Sequence, residues 1–518
     1  MFLAEKQLPD DPVILKTLLL NERSAMSKKL SEGEAREDKL KQQIHTLLEA
    51  LRLEKHRLYG KSSEKSPDQS EMFDEVDSFV EGAGLGAGED GVAALVTPGK
   101  EKKRPARKPL PPELPRIRRV IELSGEDLLC ACGCTLVEIG EDISEQVDII
   151  PAQVQVIQHV RKKYVCKACE GTIKTAPKPD LLLPKSLASG NTMAYIITSK
   201  YADGLPLYRL SGILGRYGIE MPRQTLSESV LRVAERVAPL IAHIKQHLMN
   251  SPLLFMDETR VQVLNEPNKT PQSNSYMWVQ RGGPPEKSLI QFHYDPGRST
   301  ATAKRLLEGF TGTLMTDGYK PYREVVKDKG LTHLCCWAHS RRKFMDAQKT
   351  QPKGKVGKAD MAINYIGKLY AVERQAQNSD AAARHRSRQS ISVPVLKDFH
   401  QWLLKTQQQV PPKTTLGKAV NYTLEYWPEL SKYAENGEWP IDNNPAENAI
   451  RPFVIGRKAW LFSNSQRGAT ASANLYSLIE TAKANGKEPY SYLSWLFEKL
   501  PGADLQNIES LMPWNMPE

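Results

Sequence analysis

Apolar residues recur with a helical period over residues 27–58, where Leu40, Ile44, Leu47, Leu51 and Leu58 step 4-3-4-7. Glu54 interrupts this a/d seam, charged residues fill the other faces, and the glycine of LYGKSSEK at 58–65 ends the predicted helix. Such a seam suits a coiled coil between two copies and a hairpin packed within one chain equally well. Residues 190–250 are helical, with LYRLSGILGRY and PRQTLSESVLRVAERV separated by a break at Gly218. From 252 the period falls to two, so PLLFMDETRVQVL, SYMWVQ and SLIQFHY read as three consecutive strands. A helix from about Thr300 to Glu308, the strand TGTLMTD, a further helix and the strand THLCCWA follow. This succession predicts a mixed α/β sheet. Residues 346–440 lose strand character, with a polar, arginine-bearing stretch near Arg384–Arg388, and 445–500 is again mostly helical.

Charge and composition mark the linkers. From Ser66 to Gly99 there is no lysine or arginine and there are eight acids, followed by glycines and alanines, a composition that does not order itself. The proline-rich stretch KEKKRPARKPLPPELPRIRR, Lys100–Arg119, reverses the sign. It reads either as an extended arm on phosphates or as a solvated basic linker. Over all 518 residues the formal charge is +10, which favours a polyanionic partner without excluding a merely basic soluble protein. No apolar run approaches the roughly 20 residues of a membrane span. The N-terminus MFLAEKQLPDDP lacks the layout of a secretion signal. The expectation is a cytoplasmic, nucleoid-associated protein without membrane contact, where thiols stay reduced.

Five of the seven cysteines cluster between Cys130 and Cys169. Cys166-Lys-Ala-Cys169 has the spacing at which two thiolates chelate one side of Zn²⁺, and two of Cys130, Cys132 and Cys134 would close the tetrahedron. Such a closed site is structural. In the helical pair, the first turn after Pro222 presents Arg223, Gln224 and Thr225, side chains suited to base edges and phosphates in a helix-turn-helix. Plain helix packing is the alternative.

Three acids stand where an apolar strand or a helix start would hold them. Asp257 lies in FMDET, Asp317 ends LMTD before Gly318, and Glu447 falls in the first turn of a helix that Asn444 would cap and Pro445 would start. Carboxylates so placed can bind two Mg²⁺ ions around a phosphate. Each also has a purely structural reading: strand-end turn residues for the aspartates and a capping-box partner for Glu447.

From about Leu114 to Leu500 the chain resembles the bacterial insertion-sequence transposases of the TnpC type, the family of insertion sequence sixty-six. The matching segments include IGEDISEQVDIIPAQVQVIQHVRKKYVCKAC, SLIQFHYDPGRS, LMTDGYKPY, CCWAHSRRKF and DNNPAENAIRPFVIGRKAWLFSNSQRGA, in that order. The resemblance implies an RNase H-like core with an α-helical insertion between Asp317 and Glu447, preceded by a zinc-finger-like module. It makes Asp257, Asp317 and Glu447 the DDE acids holding two Mg²⁺, with Mn²⁺ able to substitute. CACGC departs from the two-residue gap of many relatives, so the ligand choice among Cys130, Cys132 and Cys134 stays open. Cys336-Trp337-Ala338-His339 resembles a Cys-x-x-His signature of several DDE families. His339, Arg341 and Arg342, with Arg451, Arg457, Lys458 and Arg467 around the third acid, would suit DNA.

The expected order is an N-terminal helix or coiled coil (1–65), a linker with basic arm (66–119), the zinc module (120–180) and a helical DNA-binding region (185–250). The core's first part (251–345), the helical insertion (346–440) and the last part of the core (441–518) follow. The function expected is Mg²⁺-dependent 3′-end cleavage and strand transfer on double-stranded DNA, at element ends and target. A homo-oligomer and small accessory proteins of the same element are the expected partners. A structure-selective nuclease without joining and a zinc-containing DNA-binding regulator are the rivals.

Overall fold

The computed structural model describes residues 11–59, 154–165, 173–351 and 356–517. The acidic linker, the basic arm and Cys130, Cys132, Cys134, Cys166 and Cys169 lie outside the described residues. The chain divides into two compact units, Pro67–Val160 and the remainder, Met1–Ser66 with Arg161–Glu518. Of the smaller unit, residues 154–160 carry neither helix nor strand.

Helix α1, Pro12–Tyr59, begins fifteen residues before the expected start. The Asp11 carboxylate accepts from Val13 N at 2.8 Å and supplies the N-terminal partner that the seam alone did not reveal. Leu40, Ile44, Leu47 and Leu51 are all exposed. The helix touches the rest of its unit through polar side chains. Glu49, buried, accepts from Thr415 N at 2.9 Å, and Arg52 Nη1 donates to Thr350 O at 3.4 Å.

Strands β1 (Lys163–Val165) and β2 (Ile173–Thr175) form an antiparallel hairpin. Helices α2 (Gly190–Tyr201), α3 (Leu207–Arg216), α4 (Arg223–Arg236) and α5 (Ala238–Met249) follow. Between α3 and α4 the chain reverses at Gly218, whose φ of +77° lies in the left-handed region. Ser211 Oγ donates to Met221 O at 2.7 Å and pins that turn.

The three strands anticipated after 252 are β3 (Leu253–Asn265), β4 (Asn274–Gly282) and β5 (Leu289–Asp295). Then come α6 (Thr300–Leu306), β6 (Thr313–Thr316), α7 (Lys320–Lys329) and β7 (Thr332–Cys335). They form one mixed sheet in the order β5-β4-β3-β6-β7, antiparallel across the first three strands and parallel across the last three.

Helix α8 (Trp337–Lys349) leads into a helical layer: α9 (Lys358–Gln375), α10 (Ala381–Ser387), α11 (Val393–Gln409), α12 (Thr415–Glu425) and α13 (Trp427–Ser431). This layer has its own core around Trp337, Phe344, Ile366, Phe399, Leu403 and Leu430. The arginine-bearing stretch is not wholly a polar surface. Arg388, fully buried in a π-helical turn, pairs with both carboxylate oxygens of Glu373 at 2.9 and 2.7 Å, and donates to Tyr433 O and Asn436 O.

Helix α14 (Asn444–Trp460) returns the chain to the sheet. A short strand, β8 (Ser463–Ser465), pairs parallel with the far end of β3, and α15 (Gln466–Ala484) and α16 (Pro489–Lys499) follow. Nothing in SNS signals a strand; its pairing depends on Val263 and Asn265, two hundred residues away. Helix α15 covers the edge strand β5. Ser477 Oγ accepts from Phe292 N at 2.8 Å, Thr481 Oγ1 from Ile290 N at 3.1 Å and Asn485 Oδ1 from Ser288 N at 3.1 Å. Three side chains spaced four apart on one helix face thus satisfy the unpaired edge amides. Among the described residues, no helix is long and apolar enough to cross a membrane.

Candidate active site

Strand register builds the site. Strands β3 and β6 pair in parallel as Leu253↔Thr313, Leu254↔Leu314 and Phe255↔Met315. The same register carried two residues on brings Asp257 level with Asp317, one residue past the end of β6. Strands β6 and β7 pair Thr316 with Cys335, so the next pair is Asp317 with Cys336. Where β6 and β7 end against the middle of the longer β3, Asp257, Asp317 and Cys336 therefore stand in a row. Gly318 makes the turn beyond Asp317; a Cβ there would lie 2.5 Å from the Tyr422 ring, so the helical layer requires the glycine. The Asp317 carboxylate accepts from Tyr319 N at 2.9 Å, and Asp257 from Glu258 N at 2.8 Å.

Helix α14 supplies Glu447 in its first turn, with Pro445 where the sequence placed it. The expected cap does not form. Asn443, not Asn444, precedes the helix, and it makes no side-chain cap bond. Its side chain instead donates to Met256 O at 3.0 Å while its backbone N donates to Cys336 Sγ at 3.2 Å. Asn444 turns to the Asp442 carboxylate, through its backbone N at 3.1 Å and its side-chain amide at 3.0 Å. With no capping box to serve, the Glu447 carboxylate lies 3.3 Å from His339 Nδ1, 3.3 Å from Arg342 Nη2 and 4.0 Å from Cys336 Sγ.

The acids feel one another. Burial first, then the negative charges of Glu258, Asp317 and Glu447, holds the Asp257 carboxyl well above the usual carboxylate range. Burial, then Asp317, likewise raises Glu258, against the opposing pull of Tyr322 and Arg298. Burial pushes the Cys336 thiol far up, so it stays protonated, and lowers His339 to about 4, so its imidazole is neutral.

Glu258 is a residue that the sequence reading passed over. Alternation along β3 turns it to the face opposite Asp257, where Arg298 Nε donates to it at 2.6 Å and Tyr322 donates its hydroxyl. Arg298 in turn stacks on Tyr319, 3.7 Å from the ring centroid. Its adjacency to Asp257 in FMDET was the available signal; its partners come from 40 and 64 residues downstream.

The basic residues divide. Arg223, Gln224 and Thr225 are exposed on the first turn of α4. His339 and Arg342 come to Glu447, and Arg341 shares α8 with them. Arg451 and Lys458 share α14 with Glu447. Arg457 Nη1 instead donates to Thr259 Oγ1 at 3.2 Å and to Arg260 O, joining helix to strand. Arg467 pairs with Glu235 at 2.8 Å and Glu228 at 3.1 Å, joining α15 to α4.

The family model described as "Transposase IS66 family" matches residues 185–471, and "IS66 C-terminal element" matches 477–514. "Zinc-finger binding domain of transposase IS66" matches 127–170, and "Transposase C of IS166 homeodomain" matches 46–119. Two relatives from Sinorhizobium fredii (strain NBRC 101917 / NGR234) are uncharacterized proteins. The chain is 31% identical to y4jD over 421 residues, 78% of this chain and 81% of that protein. It is 30% identical to y4qI over 542 aligned positions, 99% of each. No solved structure matches the chain.

Proposed function

The chain belongs to the IS66 transposase family, and from that premise we propose that Asp257, Asp317 and Glu447 are its DDE acids and hold two Mg²⁺ ions. The reading rests above all on the parallel register that brings Asp257, inside β3, level with Asp317, just past the end of β6. The strand order β5-β4-β3-β6-β7, antiparallel from β5 to β3 and parallel from β3 to β7, supports an RNase H-like core.

The residues fit divalent cations. The three acids are oxygen donors, the class that Mg²⁺ and Mn²⁺ prefer. Burial, then the charges of Glu258, Asp317 and Glu447, raises the Asp257 carboxyl, and bound cations would offset that cost. Cys336 Sγ accepts from Asn443 N and lies beside Glu447, at the edge of the three carboxylates. Bound there, two cations would supply activation of a water or 3′-hydroxyl and stabilisation of the leaving oxygen. The chain's own groups position the acids. Asn443 holds the start of α14 to β3, and His339 with Arg342 orients the Glu447 carboxylate.

DNA is the substrate of this reading. Cleavage at element ends is followed by joining of the freed 3′-hydroxyl to target DNA. Arg223, Gln224 and Thr225 read or anchor the duplex from α4, and Arg341, Arg451 and Lys458 contact phosphates near the acids. The exposed seam of α1 pairs two protomers, which holds two ends together. The zinc-finger match over 127–170 supports a structural Zn²⁺ on Cys166, Cys169 and two of Cys130, Cys132 and Cys134.

The test uses duplexes carrying the terminal sequences that flank the gene. Asp257→Asn, Asp317→Asn and Glu447→Gln should each lower Mg²⁺-dependent cleavage and joining by about 10³-fold or more while still binding the ends. Near-wild-type joining by any of the three removes that residue from the site. Cleavage without joined product by the wild type would leave a nuclease.

A further inference from the structure

Three side chains converge that the proposed phosphoryl-transfer chemistry does not use. We propose that His243, His247 and Glu509 form a second transition-metal site, structural in role, that clips the C-terminal segment onto α5.

His243 and His247 stand one turn apart on the same face of α5, with ring centroids 4.4 Å apart. Both Nε2 atoms face one carboxylate oxygen. Glu509 Oε2 is 2.7 Å from His243 Nε2 and 3.9 Å from His247 Nε2, and one ligand atom of each residue lies within 4.8 Å of the others. Tetrahedral Zn²⁺ with bonds of about 2.0–2.1 Å sets its ligands about 3.3 Å apart. The two observed separations bracket that value, so small side-chain rotations admit an ion between them.

The carboxylate is held ready by its other oxygen. Glu509 Oε1 accepts from Trp514 Nε1 at 3.0 Å and from Lys287 Nζ at 3.5 Å, which leaves Oε2 directed at the imidazoles. Such outer partners orient first ligands in metal sites. Lys287 is the one cation among these contacts, and it lies against the oxygen that does not face the histidines. Two imidazoles and a single carboxylate select Zn²⁺, Co²⁺, Ni²⁺ or Cu²⁺ over Mg²⁺ or Ca²⁺. The His247 side chain is half exposed, so a water can complete the coordination.

The placement gives the ion a task. Helix α5 ends at Met249 and β3 begins at Leu253, so the histidines sit on the support of the strand that bears Asp257. Glu509 lies 266 residues from His243, in the 3₁₀ segment Leu505–Leu511. A metal bridging them closes a long loop and ties down the chain's last described turns.

Zinc bound after dialysis against Zn²⁺ and desalting is counted by mass spectrometry on full-length wild type and on His247→Ala. The cysteine module contributes equally to both, so its zinc cancels in the difference. The wild type should carry one more zinc per chain. An equal count in the two proteins overturns the proposal and leaves His243 and Glu509 as a hydrogen-bonded tie only. If His247→Ala does not fold, His247→Gln keeps most of the side-chain bulk without the imidazole and gives the same comparison.

Discussion

The side-chain amide of Asn443 donates to the carbonyl oxygen of Met256 at 3.0 Å, and so ties the start of the helix bearing Glu447 to the strand bearing Asp257. Both atoms are buried, and the adjoining backbone N of Asn443 is spent on Cys336 Sγ. One asparagine therefore links three elements of the site.

Asn443→Leu removes the donor and leaves Met256 O unpaired in the interior. The expected cost is about 1–3 kcal/mol in urea denaturation. DNA joining should fall further than the folded fraction does, because Glu447 loses its register with the aspartates. Joining that tracks the folded fraction alone would make Asn443 purely structural.

Asp317→Asn should stabilise the metal-free protein. It keeps the oxygen that accepts from Tyr319 N and deletes one of the charges that raise Asp257. The melting midpoint of the metal-free variant should lie above that of the wild type. In the same variant the rise of the melting midpoint on adding Mg²⁺ should shrink. A metal-free variant less stable than wild type would show that the acids do not strain the fold.

The edge clasp can be tested away from the chemistry. Thr481→Val keeps the shape of the side chain but strips the hydroxyl that accepts from Ile290 N and donates to Ile290 O. Destabilisation of about 1–3 kcal/mol is expected, with faster amide exchange along β5 and unchanged joining per folded molecule.

His333 makes stability fall on acidification. Thr316 Oγ1 gives its hydrogen to Asp317 O at 2.8 Å, so it must accept from His333 Nε2–H at 2.9 Å. Burial lowers the imidazole from 6.5 to about 4, with Arg323 and Lys432 reinforcing and Glu429 opposing. A folded-state value below the unfolded one gives stability that is complete above pH 6.5. It is lost as pH falls from there to about 4, by about 3 kcal/mol in all. In His333→Gln, which has no proton to gain, that part of the slope should vanish from denaturation measured at pH 7.5, 5.5 and 4.

Much of this was legible along the chain because hydrophobic periodicity reports which face of an element is buried. The alternation over 253–265 and the apolar runs before Asp317 and Cys335 placed the strands, and with them the positions of two acids. Pro445 and the following amphipathic turn placed Glu447 on a helix. Periodicity does not name the partner across the contact. That Asn443 rather than Asn444 precedes the helix, and that it spends its amide on Met256, was settled when α14 met β3. The burial of Arg388 against Glu373, the pairing of β8 with β3 and the use of Arg457 and Arg467 as internal ties are of the same kind. Each is a polar bond between groups far apart in the chain. A lone asparagine, arginine or serine carries no pattern that points to its partner, so only the packed arrangement of the elements decides it.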